Sequence, residues 1–166
     1  LGKVFENLLP ENIRHSSGTY YTPRVIVHYM CQQALLHYLS ARASDIPPDD
    51  VTVFLRLAER FADFEANETK KHADKRLPKA IAQNAARLDD LLATVTVCDP
   101  AVGSGAFPVG MMHEIVRARI ALTPSLEKKA SAPGSGRTPY ELKRHATPHP
   151  LYGLDSDPRP VELANP

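Results

Sequence analysis

The stretch that decides the fold is ATVTVCDPAVGSGAF, residues 93–107. Ala93, Thr94, Val95, Thr96, Val97 and Cys98 form a short run rich in β-branched residues and bounded by Asp99-Pro100, which predicts a buried parallel strand. Gly103 and Gly105 then make a turn. In the following AFPVGMMHEIVRARIAL, Met111, Met112, Ile115, Val116 and Ile120 share the apolar side of a helix. Strand, glycine turn and helix in this order are half of a nucleotide-binding βαβ unit. Such a turn lets a ligand approach bare backbone, while the next helix aims its unpaired N–H groups at the same place. Here the turn begins with a carboxylate, Asp99, which repels a phosphate and suits an ammonium group or hydroxyls. The spacing also lacks the GxGxxG of dinucleotide sites and the Gly-Lys-Ser/Thr of a P-loop.

Downstream, Leu151-Tyr152-Gly153-Leu154 reads as a second strand ending at Asp155. A carboxylate at the tip of the neighbouring strand can accept two hydrogen bonds from a ribose diol, which makes Asp155 a binding candidate. Asp157 reads as a helix cap ahead of Pro158. Residues 123–137, rich in Ser, Pro, Gly and Lys, read as a surface loop, and 139–145 as a short helix.

Upstream, Val4, Phe5, Leu8 and Leu9 form a short amphipathic pattern that Pro10 stops. Thr22-Pro23 reads as a cap residue followed by proline at the first helical position, leading a helix, VIVHYMCQQALLHYL, that should be largely buried. Residues 44–50 read as a break before a helix carrying Val53, Leu55, Leu57, Ala58, Phe61 and Phe64; 67–76 read as a solvated connector. Pro78 starts another helical stretch with Ile81, Ala85, Leu88, Leu91 and Leu92.

Composition sets limits around these motifs. With 20 Lys+Arg against 19 Asp+Glu in 166 residues, bulk charge gives no footprint for a polyanion. No apolar run approaches the ~20 residues of a membrane span, and Glu6 and Glu11 lie where a signal peptide needs an apolar stretch; a cytoplasmic chain with no membrane partner is expected. Cys31 and Cys98 lack zinc or disulfide spacing and read as small buried apolar residues. His113-Glu114 fails the HExxH zinc pattern because Arg117 stands where the second histidine is needed, so no metal site is expected. Lys143-Arg144-His145 reads as a solvated face.

Three blocks carry a resemblance. GTYYTPRVIVHYM (18–30), VCDPAVGSGAFPVGMMHEIVRARI (97–120) and LYGLDSDPRPVELA (151–164) resemble motifs X, I and II of adenine-N6 DNA methyltransferases, especially the large type IIG restriction-modification enzymes. The resemblance implies an α/β fold: a partial Rossmann-like class I S-adenosylmethionine-dependent methyltransferase fold with an N-terminal helical region. The division would be an N-terminal helical region over 1–93, including motif X at 20–23, and the start of the Rossmann domain over 94–166, truncated at its C-terminus. Carried over residue by residue, it places Tyr21, Thr22 and Pro23 at the methionine end of the cofactor. Asp99, Pro100, Ala101, Gly103, Ser104, Gly105 and Phe107 fall in the main cofactor turn, and Asp155 at the ribose.

The sequence departs from the family in one respect that bears on activity. The Asn/Asp-Pro-Pro-Tyr/Phe loop that holds the flipped adenine in the family is absent; Asn165-Pro166 lacks the second proline and the aromatic residue, and the acid of motif III is missing too. The resemblance therefore implies a cofactor-binding part of a restriction-modification or phage-defence methyltransferase, with no catalytic residues of its own. Double-stranded DNA would be bound by parts outside these residues, with a fused or partner restriction nuclease. Two other readings remain: a non-catalytic cofactor-binding or interaction module, and a methyltransferase acting on RNA or protein.

Overall fold

The computed structural model of the protein describes residues 22–66, 77–127, 138–146 and 151–154. The expected helix over 2–9, Tyr20, Tyr21, the 67–76 connector, Asp155, Asp157 and the helix expected from Pro158 lie outside the described residues.

The motif X segment leads into helix α1, Arg24–Arg42. Its buried residues, Val27, Cys31, Leu35 and Leu39, recur every four positions and make one stripe. Val25, Ile26, Tyr29 and Met30 are exposed, so this helix is buried on one side and not largely buried. Proline also stands one position earlier than expected. Pro23 is the N-cap and its carbonyl accepts the N–H groups of Ile26 and Val27, while no side chain caps the helix; Thr22 lies one residue too far out for the cap role.

Helix α2, Pro48–Ala66, starts inside the segment expected as a break. Pro48 at its first position and Asp49 and Asp50 in its first turn suit a helix N-terminus through fixed φ and the helix dipole. The stretch after Pro78 divides at Asn84 into α3, Lys79–Gln83, and α4, Ala85–Thr94. Asn84 donates both its backbone N–H and its side-chain amide to the Ala80 carbonyl, at 3.2 and 3.0 Å, which closes the first helix and lets the second start. Ala93 and Thr94, expected in the strand, are the last turn of α4, where the Thr94 hydroxyl donates to the Asp90 carbonyl. Strand β1 is accordingly Val97–Asp99.

Helix α5, Ala106–Glu127, is the centre of the molecule and packs against α1, α2 and α4. It runs five residues into the expected loop, passing through Pro124. The missing proline N–H falls in the last turn, where it removes a single bond, and Leu122 and Leu126 on either side pack against the core. Helix α6, Pro139–Ala146, begins with a capping box: Glu141 Oε2 accepts the Thr138 N–H at 3.0 Å, and Thr138 Oγ1 accepts the Glu141 N–H at 3.2 Å. Strand β2, Leu151–Gly153, pairs parallel to β1 in the register Val97↔Leu151, Cys98↔Tyr152, Asp99↔Gly153.

The main core joins both sides of the expected 93/94 division: Leu35, Leu39, Phe54, Ile81, Leu88 and Leu92 share one cluster with Met111, Ile115, Ala118 and Leu122. A two-point ion pair, Arg119 Nε to Asp89 Oδ1 at 3.0 Å and Nη2 to Oδ2 at 3.3 Å, ties α5 to α4 within this packing. The described residues are thus mostly helical, with one parallel βαβ unit at an edge. Cys31 is buried as expected, but Cys98 is exposed, because among the described residues nothing covers the sheet face it shares with its register partner, the exposed Tyr152. No helix among the described residues is long and apolar enough to cross a membrane.

Candidate functional site

Asp99 ends β1 and opens the turn into α5. Its Oδ1 accepts the Ala101 N–H at 3.0 Å, bending the chain out of the strand. Its other oxygen, Oδ2, is buried and has no hydrogen-bond partner. A buried carboxylate oxygen left unpaired is destabilising unless something donates to it. The turn therefore holds a buried carboxylate oxygen whose hydrogen-bonding capacity no group among the described residues fills.

The rest of the turn is shaped by two glycines. Gly103 and Gly105 take φ of 49° and 78°, which L side chains rarely adopt. A Cβ placed on Gly103 would meet nothing nearer than the Ala101 carbonyl oxygen at 3.9 Å, so backbone conformation, not crowding, requires the glycine. Pro100, Ala101 and Ser104 are exposed, Gly103 is half-buried and Gly105 is buried, its N–H donated to the Val102 carbonyl at 2.8 Å. Phe107 is half-buried against the core.

The turn is stitched to the end of β2. The Leu154 N–H donates to the Asp99 carbonyl at 2.8 Å, and the Val102 N–H to the Leu154 carbonyl at 2.9 Å. Val102 thereby lies across β2 at Gly153, where a Cβ would sit 2.5 Å from Val102 Cγ2. Gly153 and Val102 form a close approach beside the turn that sequence reasoning passed over. The glycine in Leu-Tyr-Gly-Leu was the available signal, since glycine inside a strand marks close approach of another chain segment. Asp155, the expected ribose ligand, follows Leu154 directly but lies outside the described residues, as does Tyr21.

Thr22 is half-buried and Pro23 exposed at the head of α1. This helix reaches the first turns of α5 at Gly110, where a Cβ would lie 2.7 Å from Val27 Cγ1 and 3.3 Å from Cys31 Sγ. The Cys31 thiol donates to the Phe107 carbonyl at 3.7 Å. Burial pushes that thiol up to about 11, and the charges of Glu114 and Asp99 push the same way, so α1 passes within electrostatic reach of the Asp99 carboxylate. On α5, burial and the nearby cations Lys143, Arg117 and Arg24 lower His113 below the usual imidazole range, against an opposing pull from Glu114, which favours a neutral ring there. No three His, Cys, Asp or Glu side chains gather as a metal site among the described residues.

What the geometry defines is a parallel βαβ unit whose strand ends frame a glycine turn with one unsatisfied carboxylate oxygen. No known protein family matches the chain, and no solved structure does. Over 168 aligned residues, 99% of the chain, it is 27% identical to a Methanocaldococcus jannaschii protein named "Putative type II restriction enzyme and methyltransferase". The chain spans 13% of that protein's length.

Proposed function

We propose that the chain is the S-adenosylmethionine-binding part of a site-specific DNA (adenine-N6) methyltransferase of a restriction-modification or phage-defence system, built on a Rossmann-like domain of which the βαβ unit is the start. The observation that carries the reading is the buried, unpartnered Asp99 Oδ2 at the head of the glycine turn. The similarity to the M. jannaschii protein supports the restriction-modification and methyltransferase parts of it.

The residues present fit the cofactor. When bound, S-adenosylmethionine supplies a methyl group activated on a sulfonium centre. Asp99 Oδ2 would accept from a cationic or hydroxyl group of the ligand, the atom most in need of a donor in the turn. Gly103 and Gly105 keep side chains out of the ligand's way, and Asp155 would take the ribose hydroxyls beside the end of β2. Tyr21, Thr22 and Pro23 would close the methionine end. Methyl transfer depends on positioning and a held acceptor amine, which the missing Asn/Asp-Pro-Pro-aromatic loop would supply. These 166 residues are therefore expected to bind cofactor and to place no methyl group on DNA.

Calorimetric titration with S-adenosylmethionine tests the assignment. Losing a hydrogen bond to a charged group weakens binding about 10- to 100-fold, so Asp99→Ala should show that loss or more, while Arg56→Ala on the exposed side of α2 should leave affinity unchanged. Equal affinity in the parent and both variants sinks the site. Incorporation of tritiated methyl into DNA by the chain alone would overturn the expected lack of catalysis.

A further inference from the structure

Past the ends of β1 and β2 the two chain segments stay bonded, but out of step. In a regular parallel ladder, a residue whose N–H bonds to one carbonyl of its neighbour gives its own carbonyl to the N–H two residues further along. The Leu154 N–H donates to the Asp99 carbonyl at 2.8 Å, so the Leu154 carbonyl should accept the Ala101 N–H. It accepts the Val102 N–H instead, at 2.9 Å. The Ala101 N–H is already taken, because it donates to Asp99 Oδ1 at 3.0 Å. One extra residue therefore stands opposite Leu154, a bulge that the Asp99 side chain creates.

This slip gives Val102 two holds on β2. The first is its N–H on the Leu154 carbonyl; since a peptide group is planar, that bond orients the unit that leads into Asp155. The second is its side chain, which lies across Gly153, where a Cβ would sit 2.5 Å from Val102 Cγ2 and 3.1 Å from Cγ1. Val102 is buried, yet it belongs to neither apolar cluster among the described residues. Its isopropyl group serves the seam between turn and strand. The two bonds to Leu154 hold that seam within the plane of the sheet, and the isopropyl group sets how far the turn stands above β2.

We propose that Val102 is a positioning residue for the cofactor site: it sets the separation of the Asp99 and Asp155 carboxylates and so selects a ligand that offers donors to both at once. The inference rests on the cofactor reading above, in which each of these acids holds part of S-adenosylmethionine. A ligand gripped at two points gains from both only when their spacing matches its own. Val102→Ala removes both γ-carbons and lets the turn settle towards Gly153, with both carboxylates still present but wrongly spaced. That loss exists only while there are two acids to space.

Calorimetric titration of the full chain with S-adenosylhomocysteine compares the parent, Val102→Ala, Asp155→Asn and the double variant, each melted to confirm that it folds. Val102→Ile keeps both γ-carbons over Gly153 and serves as the conservative variant. Gly153→Ala, which drives the turn the other way, is carried through the same two backgrounds, so that a Val102→Ala protein that fails to fold leaves the comparison intact. The expected result is binding about tenfold weaker on Val102→Ala or Gly153→Ala in the parent, less than about twofold weaker on adding either to Asp155→Asn, and parent affinity in Val102→Ile.

A turn that is merely loosened would weaken the Asp99 hold in both backgrounds. An equal loss in both, or a loss in neither, therefore overturns the positioning role and leaves the cofactor site standing. An Asp155→Asn protein with no measurable binding overturns the two-point grip, because Asp99 should then retain part of the affinity. If the parent itself binds no ligand, the cofactor reading fails and this inference falls with it.

Discussion

Gly110→Ala is a test of whether α1 and α5 cross as described, because two effects of opposite sign meet there. Gly110 lies in the second turn of α5, and alanine in a helix is favoured over glycine by about 0.5–1 kcal/mol. Against this, the new Cβ would come 2.7 Å from Val27 Cγ1 and 3.3 Å from Cys31 Sγ. Val27 cannot give way cheaply, since a β-branched side chain in a helix has one preferred rotamer, and both partners are buried at 5% and 2% exposure. Overpacking of this kind costs about 1–3 kcal/mol, so the clash should win by about 1–2 kcal/mol. For a chain of this length that is a fall in Tm of about 2–8 °C. Val27→Ala removes the clashing methyl groups. In that background Gly110→Ala should raise Tm by up to about 4 °C, because the helix preference then opposes only the 3.3 Å approach to Cys31 Sγ. The four proteins of this cycle, melted by far-UV circular dichroism, give the sign directly. A Gly110→Ala protein that is more stable than the parent in the unaltered background would refute the crossing.

Other outcomes follow from single observations. Gly153→Ala drives a Cβ into Val102 at 2.5 Å, so it should weaken S-adenosylmethionine binding more than it lowers Tm; titration and melting of the same preparation compare the two. Arg119→Met removes the two-point ion pair to the buried Asp89 and should destabilise by about 3–5 kcal/mol, while Arg119→Met with Asp89→Leu should recover most of this; urea unfolding of both measures it. The Cys31 thiol, pushed to about 11 from 9.0, should stay unreactive to a disulfide reagent at pH 8 while Cys98 reacts, and both should react in denaturant. The same shift fixes a sign: the unfolded thiol ionises first, so the Cys31 contribution to stability is intact below about pH 9 and is lost as pH rises towards about 11.

Much of the architecture was legible because it depends on neighbours in sequence. The run around Val97, the glycines at 103 and 105, and the acid at 99 announced strand, turn and helix, since β-branching, positive φ and Asx bending are local properties. The proline at 23 and the apolar run behind it announced α1, though not the single buried stripe from Val27 to Leu39. The errors arose where a partner decides. Thr94 and Ala93 have strand propensity or none, yet packing of Leu88 and Leu92 carried α4 through them. Pro124 marks a break by its own chemistry, but Leu126 docked on the core kept α5 helical past it.

The sequence by itself determined the order of elements, the glycine turn headed by Asp99 and the apolar stripes, because each is set by a residue's own backbone preference or by helical period. Only the tertiary structure decided that Val27, Cys31 and Gly110 touch, and that Val102 lies over Gly153. It also decided that His28, Glu59 and Glu114, which no local pattern links, come within hydrogen-bond distance across three helices. The orphaned oxygen of Asp99 belongs to the same class, since whether a carboxylate finds a donor depends on what the rest of the chain brings to it.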